Sequence, residues 1–175
     1  MNTLARAAAL AAATLLVVAC GGGEAKPDSP VPPAPAASLF TRLGGMPAIE
    51  AVVKDFATRV LADSRINAKF AKSDPDRLVS KLIEQVCGAT GGGCTYSGRS
   101  MKETHTNMGV TEGEFGALVE NLVAALNQAG VAAADQAELL TALGTMKADI
   151  VEVAGPATGT PLPAGFAPWT KPAGQ

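Results

Sequence analysis

Proline placement limits this chain more than any other feature. Of its twelve prolines, Pro27, Pro30, Pro32, Pro33 and Pro35 precede residue 38, and Pro156, Pro161, Pro163, Pro168 and Pro172 follow residue 153. Proline has no backbone N–H and a fixed φ, so such segments cannot supply helix interiors or central strands. Only Pro47 and Pro75 lie between them. Each is placed where a helix begins, and there a missing N–H is harmless. The proline map therefore predicts one folding unit over residues 38–153, a Pro/Gly-rich tether over 20–37 and a Pro-rich tail over 154–175 that carries Trp169. A length of 175 residues suits one core with appendages.

Inside the unit the apolar spacing is helical. Ile49, Val52, Val53, Phe56, Val60 and Leu61 recur at three- and four-residue intervals and share one face. Ser73-Asp74-Pro75-Asp76 reads as a helix start leading into Leu78, Leu82, Ile83 and Val86. Thr111 with Glu114 forms a capping box ahead of Phe115, Leu118, Val119, Leu122, Val123 and Leu126, and Gly130 stops that helix. Leu139, Leu140, Leu143, Met146 and Ile150 mark a final helix. No segment alternates apolar and polar residues as a half-buried strand would, so the chain is all-α with four main helices.

The first nineteen residues read as an export signal. Arg6 supplies a positive start, and Ala7 to Val18 form an apolar run too short to span a bilayer comfortably. The run ends in Val17-Val18-Ala19-Cys20, which resembles the bacterial lipobox, where the cysteine becomes a lipidated N-terminus. That reading puts the mature protein at the bacterial cell envelope, facing the periplasm and held to the membrane by a lipid on Cys20. An ordinary signal peptide containing a cysteine is the alternative.

Composition removes several classes of function. With 47% hydrophobic residues, 17% charged residues and a net charge of −2, the chain is neither disordered throughout nor built to neutralise nucleic acid. Its single histidine, His105, excludes a zinc site made of several imidazoles. Gly91-Gly92-Gly93 follows a helix and lacks a subsequent Gly-Lys-Ser/Thr, so it reads as a tight connection and not as a phosphate cradle. Cys87 and Cys94 flank it. In an exported protein they suit a structural disulfide, with a redox-active pair or a two-thiolate metal site as alternatives.

The stretch Tyr96-Ser97-Gly98-Arg99-Ser100-Met101-Lys102-Glu103-Thr104-His105, followed by Met108-Gly109-Val110-Thr111, resembles the proximal segment of group I truncated haemoglobins. Leu39-Phe40-Thr41-Arg42-Leu43-Gly44-Gly45 through Val60-Leu61-Ala62-Asp63 resembles the start of the same family, and Arg77-Leu78 and Gly91-Gly92 stay in register with it. The resemblance implies a two-over-two helical sandwich around one haem b. It makes His105 the proximal iron ligand and Phe70 the phenylalanine against the porphyrin face. Phe56 falls in the cofactor pocket, and Tyr96 and Lys102 approach the haem edge. A haem needs an apolar cleft and one basic nitrogen, and imidazole suits iron.

The distal side departs from the family pattern. Relatives place a tyrosine after the position matching Phe56, where it donates a hydrogen bond to bound dioxygen, whereas this chain has Ala57. Positions that are often glutamine in relatives are Leu78 and Leu82. Losing such donors weakens O₂ stabilisation by about 1–3 kcal/mol. Gln85, one turn beyond Leu82, is either a replacement donor or a solvent-facing side chain. Lys81 is either a sixth ligand when deprotonated or a cation reaching water or a propionate. Met101 and Met108, four before and three after His105, read as core residues.

The resemblance implies reversible binding of a diatomic gas (O₂, NO or CO), with oxygen transport or NO scavenging as the role. The alternatives are a haem enzyme of NO dioxygenase or peroxidase type, served by a reductase, and an electron-transfer or interaction module.

Overall fold

The computed structural model describes residues 36–167. Cys20, Trp169, the signal segment and most of the tether lie outside them.

The described chain is helical, with no strands and a single isolated bridge between Thr111 and Val153. Its elements are α1 (Leu39–Arg42), α2 (Gly45–Ala62), a 3₁₀ turn (Asn67–Phe70), α3 (Pro75–Ala89), α4 (Met101–His105), α5 (Glu112–Gln128), α6 (Ala133–Gly144) and α7 (Lys147–Ile150). Helix α2 packs on both α3 and α5, and α6 packs on both α3 and α5. The α2/α3 pair is thus laid over the α5/α6 pair, two helices on two.

Local chemistry sets the ends. Asp74 caps α3 by accepting the Arg77 N–H at 2.9 Å, and Pro75 fills the first helical position. A cap of this kind is worth about 1 kcal/mol. Thr111 and Glu114 close both halves of their capping box on α5. At the other end Gly130 adopts φ +70°, while its N–H and that of Val131 donate to the carbonyls of Asn127 and Leu126. These two bonds satisfy carbonyls that the helix leaves unpaired.

The last predicted helix is interrupted. Backbone helix stops at Gly144 and resumes for one turn at Lys147, so Ile150 sits on a second short element and Met146 at the N-cap position before it. Glycine is a poor helix former, and a break there costs little.

Cys87 and Cys94 form a disulfide with Cα atoms 5.6 Å apart. Of the four glycines it spans, those at 91–93 are used differently from one another. Gly91 and Gly93 take positive φ, at 82° and 76°. Gly92 is required by space, because a Cβ there would enter the Phe40 ring and the Cys87 sulfur.

From residue 153 to 167 the chain stays against the segments that precede it. Thr111 Oγ1 donates to the Ala157 carbonyl, Gly159 N–H donates to Arg65 O, and Thr160 donates through N–H and hydroxyl to Glu114.

Candidate functional site

Between the two helix pairs lies an apolar cavity of about 590 Å³, within the range typical of small-molecule and cofactor sites. Helix α2 contributes Val52, Val53, Phe56, Ala57 and Val60 to its wall, and α3 contributes Leu78, Leu82, Gln85 and Val86. Phe115, Leu118, Val119 and Leu122 come from α5. Phe70, Tyr96, Met101, His105, Met108 and Met146 also line it, with Leu139, Leu140 and Leu143 from α6.

His105 enters this wall from α4, a helix of only five residues. Ser100 starts it with a capping box, accepting from Glu103 N–H at 3.2 Å while Glu103 Oε2 accepts from Ser100 N–H at 3.0 Å. The Ser-x-x-Glu spacing that signals this start is visible in the sequence, although no apolar periodicity accompanies so short a helix. One turn after Met101, the His105 Nδ1 lies 2.7 Å from the Met101 carbonyl. A carbonyl only accepts, so Nδ1 carries the proton and Nε2 keeps its lone pair for a metal. Burial holds the imidazole below its ordinary pKa, against the opposing pull of the Met101 carbonyl and the Glu152 charge. Burial thus favours the neutral ring, the form that ligation requires.

The turn after His105 is held by two charged side chains that no sequence pattern announced. Glu152 accepts the N–H of Asn107 and of Gly109, each at 2.6 Å. Asn107 stands at φ +66°, the one described non-glycine residue with positive φ, a conformation asparagine tolerates better than most. Lys69 donates from its buried ammonium to the carbonyls of Met108 at 2.9 Å, Gly109 at 3.1 Å and Pro161 at 3.4 Å. Its counter-charge is Glu114, Oε2 of which lies 3.6 Å away and is also buried. Burial pushes the Glu114 carboxyl up, but bonds from Thr160 and the Thr111 N–H, with the Lys69 charge, leave it below its usual value.

The sequence-predicted residues are brought together with one exception. Phe56 and Ala57 are buried in the α2 wall, and Leu78 and Leu82 line the cavity from α3. Phe70 ends the 3₁₀ turn against it. Tyr96 folds over Gly98, where a Cβ would overlap its ring, and burial raises its phenol pKa. Lys102 is the exception: it is exposed on α4 and absent from the lining. Gln85 is half-buried, not solvent-facing, and its amide donates to the Met146 sulfur at 2.9 Å and the Met101 sulfur at 3.4 Å. Lys81 is occupied by Glu84 at 2.7 Å and Ser97 at 2.5 Å.

Residues 38–152 match the family described as bacterial-like globin. The group 1 truncated haemoglobin of Mycolicibacterium paratuberculosis is 37% identical over 114 residues, covering 65% of this chain and 84% of that one. That of Synechocystis is 36% identical over 98 residues, covering 54% and 79%. Among solved structures, truncated haemoglobin from Tetrahymena pyriformis in its Fe(III) form superposes with a TM-score of 0.64 at 30% identity, covering 66% of this chain and 98% of that one. The 2/2 haemoglobin of Synechococcus, described in a cyanomet state with covalently attached haem, gives 0.63 at 32% identity over the same shares.

Proposed function

Since the chain belongs to the bacterial-like globins, and among them to the group 1 truncated haemoglobins, we propose that it holds one haem b on His105 and reversibly binds a diatomic gas. One observation carries this reading: the only imidazole in the chain lines a large apolar cavity with its Nδ1 bonded to the Met101 carbonyl, which leaves Nε2 as the nitrogen available to a metal. The donor set fits haem, with one neutral nitrogen, aromatic side chains at Phe56, Phe70 and Tyr96, and no carboxylate cluster suited to a bare ion among the described residues. When bound, haem supplies an iron that coordinates O₂, NO or CO.

The chain's own contribution is to position and to exclude. The Met101 carbonyl orients His105, and Glu152 and Lys69 fix the turn behind it. Ala57, Leu78 and Leu82 offer the opposite side of the cavity no hydrogen-bond donor, so discrimination in favour of O₂ over CO is weak. The Gln85 amide is engaged by two methionine sulfurs and is the polar group nearest in kind to a substitute. This pattern favours gas binding or NO scavenging over a dioxygenase, which needs a long-lived O₂ complex and a reductase.

The site of action is the bacterial cell envelope, by a lipid on Cys20. The Val17-Val18-Ala19-Cys20 string supports this, and so does the Cys87–Cys94 disulfide, a bond that oxidising compartments preserve.

Absorption spectra of the ferrous protein with and without CO test the function. A high-spin spectrum that shifts sharply on CO addition is expected. A six-coordinate low-spin spectrum indifferent to CO would favour electron transfer.

A further inference from the structure

The bacterial-like globin match ends at residue 152, yet the described chain continues to 167 across the same helices. Its path is fixed at successive points. Glu112 N–H donates to Val153 O, and Gly113 N–H donates to Gly155 O. Thr160 reaches the buried Glu114, and the Pro161 carbonyl reaches the buried Lys69. At the far end Lys72 Nζ donates to Phe166 O at 2.7 Å and lies 6.0 Å from the centre of the Phe166 ring. Phe166 and Ala167 line the cavity beside Lys72 and Ser73.

Gly113 shows that this path is built in. It is a helical residue of α5 where alanine would favour the helix, yet a Cβ there would strike the carbonyl oxygens of Pro156 and Ala157. The helix gives up a side chain so that the backbone of residues 156 and 157 can lie against it.

We propose that residues 153–167 form a strap closing one mouth of the haem cleft, with Phe166 as its apolar plug and Lys72 as its latch, and that the strap retains the cofactor. This rests on the haem reading above. The strap resists opening because Thr160 and Pro161 bond to Glu114 and Lys69, which are themselves buried beside the turn after His105. Opening it would strip partners from a buried ion pair, which is costly.

The test compares full-length wild type, Gly113→Ala, Phe166→Ala and Gly116→Ala. Gly116 lies three residues along the same helix with nothing near its Cβ position, so it carries the same chemical change without the collision. Two quantities are read: transfer of haem from each ferric protein to excess apomyoglobin, and hydrogen exchange of the Gly159 and Thr160 amides in the haem-free proteins. Gly113→Ala should speed exchange at both amides. Gly113→Ala and Phe166→Ala should each lose haem roughly tenfold faster than wild type, the scale of one partly buried side chain. Gly116→Ala should match wild type in both. Haem loss unchanged in Gly113→Ala despite faster exchange would overturn the strap's role and leave the haem reading intact. Exchange unchanged in Gly113→Ala would overturn the docked path itself. A wild-type protein that takes up no haem, with both amides protected, would instead fell the haem reading and this proposal with it.

Discussion

Lys69 and Glu114 face each other at 3.6 Å with side chains 4% and 2% exposed, one from a 3₁₀ turn and the other from the first turn of α5. Neither charge is tolerable alone at such depth. The ammonium also reaches the carbonyls of Met108 and Gly109, which tie it to the turn after His105.

Replacing Lys69 by methionine strands the carboxylate and should cost about 3–5 kcal/mol in urea unfolding. The double variant Lys69→Met/Glu114→Gln should lose less than Lys69→Met alone, because no unpaired charge remains. A Lys69→Met loss below about 1 kcal/mol would mean that the pair is solvated.

The pairing of these two residues leaves little trace in the sequence. Glu114 is legible only as a capping-box residue, a role it does fill. Its long-range partners Lys69 and Thr160 lie 45 and 46 positions away, and no periodicity connects them. The helices were readable because their signals are local: Asp74-Pro75, Thr111 with Glu114, and Gly130. The cavity-facing apolar residues of α2, α3 and α5 were readable for the same reason. The break after Gly144 was not, since Leu143, Met146 and Ile150 keep helical spacing across it. Nor could composition show that proline-rich residues 156–163 are pinned by hydrogen bonds, for proline excludes helix without excluding a docked extended path.

An apolar distal wall predicts fast O₂ release. Substituting Ala57→Tyr would put a hydroxyl donor where the cavity has none, and a bond to a partly charged ligand is worth about 1–3 kcal/mol. Stopped-flow O₂ dissociation should slow by roughly tenfold or more, with CO dissociation nearly unchanged. Equal slowing of both gases would point to blocked escape and not to a hydrogen bond.

The disulfide should contribute about 2–3 kcal/mol by restraining a short glycine-rich loop in the unfolded chain. The Cys87→Ser/Cys94→Ser variant should melt earlier by calorimetry. Because Cys87 is fully buried beside Val86 of the cavity wall, haem affinity should fall as well. An unaltered melting temperature would contradict this.

Acid should weaken the α3 surface. Lys81 and the Ser97 backbone hold the Glu84 carboxyl down at about 2. A depressed carboxylate stabilises the fold above its unfolded pKa, near 4.3, and that contribution disappears as pH falls from there toward 2. The pair is partly exposed, so its share is at most about 1 kcal/mol. Glu84→Gln should flatten stability between those pH values, and a slope identical to wild type would show the pair to be inert.

Lipid anchoring makes a separate demand. Cys20→Ser should move the protein from the membrane fraction to the soluble periplasmic fraction and abolish labelling by a fatty-acid analogue. Retention in the membrane with label intact would place the anchor elsewhere.

Whether His105 Nε2 binds haem iron is read from the absorption spectrum of His105→Ala beside wild type after identical haem addition and gel filtration. Wild type should emerge with one haem per chain and a histidine-bound ferrous spectrum, while His105→Ala should emerge depleted of haem or with that spectrum lost. A His105→Ala variant carrying haem with a spectrum indistinguishable from wild type would show that His105 is not the iron ligand.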